Sequence, residues 1–222
     1  MAARIREAHG VSMGDAEQLA QEWAALITER LPEAQGTKFR TEHEIASVAL
    51  ADILAARQRR SRPDEARELV RRAWSEFAAK CALQPDVSVR WLRGLRSRTR
   101  GLGLVTDGDS DAVFSILTRL KLVPVFDSVI TSEEVGSYKP DCRIFQAALN
   151  GLHAIPNESL FVSDSARDLE GAAAVGLATA LIPRAFPSDA TKVPSAAIVL
   201  TRLPDIDAII DQFAKTGRFG GH

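Results

Sequence analysis

The chain has 222 residues, a length that suits one domain or a core domain carrying a smaller inserted one. Apolar residues make up 45% and charged residues 26%, enough to bury a core, while 28 Lys and Arg against 29 Asp and Glu leave a net charge of −1 and no field to gather nucleic acid. The two cysteines, Cys81 and Cys142, cannot by themselves build a disulfide framework or a zinc site, and the apolar run at 171–183 is too short to span a bilayer, so a reduced cytoplasmic protein with no membrane partner is expected.

The first half reads helical. Leu19, Trp23, Leu26 and Ile27 share one helical face, with Asp15 as its cap and Pro32 near its end. Ile45, Val48, Ala49 and Ile53 mark a second helix, with Thr41 at the N-cap and Glu44 at the capping-box position. Leu69, Val70, Ala73, Trp74 and Phe77 mark a third. The basic stretch 57–62 between the last two reads as a solvated loop. Trp23, Trp74 and Trp91 fall on apolar faces and are expected in cores, and the four histidines show no ligand spacing.

The pattern changes after Pro85. A helix with Val87, Trp91, Leu92 and Leu95 leads into an apolar run at 101–106, bounded by glycine and ending at Asp107-Gly108, which reads as a buried strand. A helix through Val113, Ile116, Leu117 and Leu120 follows, then a strand at 126–130, a helix at 140–149, a strand at 159–163, a helix at 168–176, strands at 178–182 and 196–200, and a closing helix at 204–213. Such alternation predicts an α/β fold whose parallel sheet is covered on both faces, with chemistry just beyond the carboxyl ends of the strands.

Three strand ends carry suggestive groups: Thr106-Asp107-Gly108, Lys139-Pro140, and Asp164 to Asp168. Thr106 and the N–H groups of the Asp107-Gly108 turn suit phosphate oxygens, Lys139 supplies a point positive charge, and Asp164 and Asp168 supply hard oxygen ligands for Mg²⁺. Each group taken singly also fits a bland role, such as a turn residue, a solvated lysine or a helix cap. Cys142 has no base or orienting partner that would make it a nucleophile.

Together these segments resemble the haloacid dehalogenase superfamily, in its phosphatase-like and dehalogenase-like members with a helical cap. Residues 102–108 resemble the second family motif, residues 137–145 the third, Lys-Pro motif, and residues 160–172 the fourth, with Ser163 where the family usually has Gly. Residues 127–136 resemble the segment before the family's lysine. The resemblance implies a Rossmann-like parallel sheet core in three α/β/α layers at 86–222, a helical cap at 13–85 and a separate N-terminal segment at 1–12. It assigns Thr106 and Lys139 to charge stabilisation, Thr106, Asp107, Gly108 and Lys139 to phosphate, and Asp164 with Asp168 to Mg²⁺.

The family's first motif, an apolar strand ending in Asp-x-Asp before the cap, has no counterpart before the first helix here. Its place is the centre of the sheet, next to the strand ending at Thr106 and the strand ending at Ser163. A phosphatase-type hydrolase acting on a small phosphorylated metabolite is expected if that nucleophile strand is supplied. The chain as given is expected to be inactive, to hold Mg²⁺ weakly, and to turn Lys139 toward Asp164 or a bound anion such as inorganic phosphate. A non-catalytic binding or interaction protein and a 2-haloacid dehalogenase are the alternatives. Asp109-Ser110-Asp111 has the first motif's spacing but starts two residues into a turn, and a polar turn or helix cap is the competing reading.

Overall fold

The structure, a computed structural model, describes residues 1–58, 63–184, 194 and 197–219. Residues 59–62 of the basic stretch, Ala196 in the fifth predicted strand and His222 lie outside them. In chain order the elements are α1 (Ala2–His9), α2 (Met13–Arg30), α3 (Glu42–Ala56), α4 (Pro63–Lys80), α5 (Val89–Arg98), β1 (Gly103–Thr106), α6 (Ser110–Arg119), β2 (Ser128–Thr131), α7 (Ser132–Val135), α8 (Cys142–Gly151), β3 (Leu160–Ser163), α9 (Ala166–Ala174), β4 (Ala178–Leu181), β5 (Ile198–Val199) and α10 (Ile206–Thr216). The chain forms two units.

The first unit joins residues 1–81 with 107–116 and 132–138. Ser12 caps α2 by accepting the Asp15 N–H at 3.1 Å. Asp15, read from sequence as the cap, therefore sits in the first turn, where its carboxylate faces the positive end of the helix. α3 opens with the expected capping box: the Glu44 N–H donates to the Thr41 hydroxyl, and the Thr41 N–H donates to the Glu44 carboxylate. Residues 1–12, set apart in sequence, carry α1, whose fully buried Ile5 joins the core of Leu19, Trp23, Ile45, Leu50 and Val70. The Trp23 indole donates to Ala46 O at 2.8 Å, and its ring meets Trp74 edge-on. Tyr138, from the far end of the unit's sequence, is part of the same core.

The second unit joins residues 82–106, 117–131 and 139–222. All its strand pairs are parallel, as the alternation predicts. β1 pairs with β2 from Gly103–Ser128 to Thr106–Thr131, β3 with β4 from Leu160–Ala178 to Ser163–Leu181, and β4 with β5. The pairing makes two ladders, β1-β2 and β3-β4-β5, so β1 and β3 each have a single paired neighbour. β1 and β3 are half-buried along their whole length, whereas β2 and β4 are buried toward their carboxyl ends. Successive strand residues face opposite ways. Phe161 packs edge-on against Phe145 of α8, while Leu160 and Val162 join Leu95 of α5 and Ile206 of α10. α8 also packs on β1 and β2, so one helix spans both ladders and helices cover both faces of the strands.

Element bounds move where side chains compete with the ladder. The second strand starts at Ser128 rather than 126, because Asp127 exchanges hydrogen bonds with Leu102 and takes the Arg96 guanidinium. The helix after β3 starts at Ala166, capped by Ser165 rather than Asp164. The Lys-Pro helix starts at Cys142, capped by Asp141.

Candidate functional site

Lys139 and Asp168 form the centre of the site. Lys139 Nζ lies 2.6 Å from Asp168 Oδ2, with the two side chains only 14% and 11% exposed. Asp168 is placed by α9: its N–H donates to the Ser165 hydroxyl at 3.3 Å, and its carboxylate also accepts the Ser163 hydroxyl at 3.2 Å. Ser163 Oγ in turn accepts the Ser165 N–H at 3.1 Å. The serine that replaces the usual glycine thus orients the buried acid. The pair forms because α9 comes very close to the Lys-Pro segment at Gly171, where an added Cβ would stand 2.4 Å from Pro140 O.

Thr106 ends β1 opposite Thr131, at the carboxyl end of its ladder. Asp164 follows β3 and is exposed. Lys139 thus turns to Asp168, not to Asp164. A buried ammonium and carboxylate must pair, since either left alone carries a large desolvation cost. The Gly108 N–H, assigned from sequence to phosphate, donates to the Ser132 hydroxyl at 2.9 Å, and that hydroxyl donates back to Gly108 O at 3.3 Å. Ser132 is fully buried and holds the turn after β1. Its one signal in the sequence is that it follows β2 as Asp107 follows β1, a position the strand-end rule marks.

Asp109 has an unforeseen role too. Its two carboxylate oxygens accept the N–H groups of Glu42 and His43 at 2.9 and 3.0 Å, so it binds the start of α3. Burial, then the negative Asp109 and Asp107, push the Glu42 carboxyl up to about 7. Burial likewise raises Asp109, against the opposing pull of the His43 and Glu42 N–H groups. Asp111 begins α6. Asp109 and Asp111 are not at a strand end.

The sequence profile of haloacid dehalogenase-like hydrolases matches residues 23–182, most of the chain. The chain belongs to this family. Among its relatives, (S)-2-haloacid dehalogenase 4A of Burkholderia cepacia is 35% identical over 112 residues, covering 50% of this chain and 46% of that protein. Ribulose-1,5-bisphosphate 5-phosphatase of Halopiger xanaduensis is 33% identical over 132 residues, covering 59% and 55%. The chain thus matches about half the length of each. The L-2-haloacid dehalogenase structure from Xanthobacter autotrophicus superposes with a TM-score of 0.72 at 17% identity, over 95% of this chain and 91% of that one. The fold is the family's Rossmann-like α/β fold with a helical cap.

The resemblance implies Mg²⁺, and the donor set can be tested against it. Among the described residues no three His, Cys, Asp or Glu side chains are grouped to hold a metal ion. Asp168, one of the two expected ligands, is engaged by Lys139 and Ser163. The residues present do not fit a magnesium ion, which demands near-octahedral oxygen coordination. No described helix is long and apolar enough to cross a membrane.

Proposed function

We propose that the chain is a phosphatase-type hydrolase of its family, acting on a small phosphorylated metabolite in the cytoplasm once an apolar strand bearing the nucleophilic carboxylate is seated beside β1 and β3. The observation that carries this is the single paired neighbour at each of β1 and β3, with the Lys139–Asp168 pair formed by the loop after β2 and the helix after β3. In this reading the Thr106 hydroxyl donates to a phosphoryl oxygen, and the Lys139 ammonium offsets the charge that grows as the carboxylate attacks. Asp168 holds Lys139 in place. Ser132 fixes Gly108, so the Asp107-Gly108 turn is held preformed. Without the delivered carboxylate, covalent catalysis has no first step.

The test uses the full chain and an aryl phosphate. The chain alone is expected to release little phosphate, with or without Mg²⁺, and a peptide carrying an apolar strand ending in Asp-x-Asp is expected to raise turnover in a Lys139-dependent way. Robust turnover by the chain alone, lost on Asp109→Asn, would overturn the reading and make Asp109 the nucleophile. One observation favours a second reading, halocarboxylate dehalogenation: the chain is 35% identical over 112 residues to (S)-2-haloacid dehalogenase 4A. Halide release from a 2-haloacid under the same conditions, without phosphate release, would select it.

A further inference from the structure

Around the start of α3, three stretches of the first unit are laced together. Gly36 N–H donates to Gly136 O at 3.0 Å, the Gln35 amide oxygen accepts the Tyr138 N–H at 2.9 Å and the Ser137 hydroxyl at 3.0 Å, and the Tyr138 hydroxyl donates to Arg40 O at 2.8 Å. Phe39 and Tyr138 stack at 5.2 Å. Asp109 completes the junction by binding the first two N–H groups of α3, although α3 already has its own cap in Thr41.

Glu42 is wedged into this junction beside the acid that binds its own backbone. The groups facing it are Asp107 and Asp109 from the turn after β1 and Tyr138 from the segment after α7, while His43 on α3 and Glu133 of α7 act on Asp109. The Nε2 atom of His43 is buried without a hydrogen-bond partner among the described residues. Asp109 receives two N–H donors at a helix N-terminus, an arrangement that favours its charged form. Among the described residues nothing donates to the Glu42 carboxyl, so Glu42 is the group that takes the proton. Two adjacent carboxylates resist ionising together when water is largely excluded.

We propose that the contact of Asp109 with α3 is a proton-operated clasp: protonated Glu42 lets the turn after β1 hold the start of the helix, and ionised Glu42 loosens it. Burial and the neighbouring acids place the Glu42 carboxyl near 7, so the clasp operates in the neutral range. It acts on the Asp107-Gly108 turn, and it stands whichever reaction the chain performs. A folded carboxyl raised this far favours the closed form at low pH and loses that advantage as pH rises through its own value.

Amide hydrogen exchange on the full chain, corrected for intrinsic rates, reads the clasp directly at the Glu42 and His43 amides. Between pH 6 and pH 8.5 their protection is expected to fall about tenfold relative to α8 amides, the factor that linkage gives for a carboxyl moved from 4.5 to about 7. Glu42→Gln is expected to abolish the dependence while leaving the low-pH protection in place. A carbon NMR titration supplies the second readout, with the Glu42 carboxyl turning over near 7. Unchanged protection across this range, a slope that persists in Glu42→Gln, or a Glu42 midpoint among ordinary carboxylates would each overturn the proposal.

Discussion

Replacing Gly171 by alanine separates two opposed effects of known size. Gly171 lies within α9, and in a free helix the exchange stabilises by about 1 kcal/mol. Here the new Cβ would stand 2.4 Å from Pro140 O, 2.7 Å from Pro140 Cβ and 2.8 Å from Phe145 Cε2. None of these neighbours is the end of a flexible chain. One is backbone, one is a proline ring atom, and one is a ring already fixed edge-on against Phe161. α9 must therefore lift off the Lys-Pro segment, at an overpacking cost of about 3 kcal/mol. The net loss is about 2 kcal/mol, or a fall of about 1 M in urea midpoint. Because Asp168 sits one turn before Gly171, the same shift draws the acid away from Lys139, and the coupling between the two in a double-mutant cycle should shrink. Gly94 on α5 is the control: nothing lies within 4 Å of its added Cβ, so Gly94→Ala should stabilise by about 1 kcal/mol. A Gly171→Ala chain as stable as the parent, measured by urea unfolding, would refute the close approach of α9 to Pro140.

Lys139→Met alone should destabilise by about 3–5 kcal/mol in urea unfolding, because it takes from the buried Asp168 carboxylate its ammonium partner, while the double variant Lys139→Met/Asp168→Leu should recover most of the loss. Calorimetric titration with Mg²⁺ should show no tight binding to the chain alone; tight binding abolished by Asp164→Ala would mean that further ligands complete the shell. Thermal unfolding should report Glu42 with a definite sign: its carboxyl is raised from 4.5 to about 7, so the stability it contributes is full below about pH 4.5 and is lost, by about 3 kcal/mol, as pH rises through 7. Glu42→Gln should flatten that profile. Thr41→Ala should cost about 1 kcal/mol through the capping box.

The strands were legible because each is a short apolar run closed by a polar turn, and β1 and β3 end at the residues the sequence indicates, Thr106 and Ser163. The α3 capping box was legible because all its parts lie within four residues. The site was legible as residue types at strand ends, but not as partnerships. Asp109 looks like a local turn or cap, yet its carboxylate binds backbone 66 residues earlier, a pairing no spacing encodes. Lys139 selects Asp168 over Asp164 because the Gly171 contact draws α9 in and buries the fourth-motif acid, leaving Asp164 in water. α1 gives no readable periodic signal because Ile5 is its one large apolar residue.

The helical unit is assembled from three stretches of chain, and this bears on how it can form during synthesis. Its core includes Tyr138, and the start of α3 is held by Asp109, so a ribosome that has released only residues 1–85 has delivered four helices without the residues that lock them. Such long-range closure raises contact order and delays the cooperative step until the polypeptide beyond residue 138 has emerged. A fragment cut after the fourth helix should therefore expose the Phe39 and Gln35 surfaces and behave as a loose helical assembly. Any transplant of this cap onto another scaffold has to carry the segments 107–116 and 132–138 along with it.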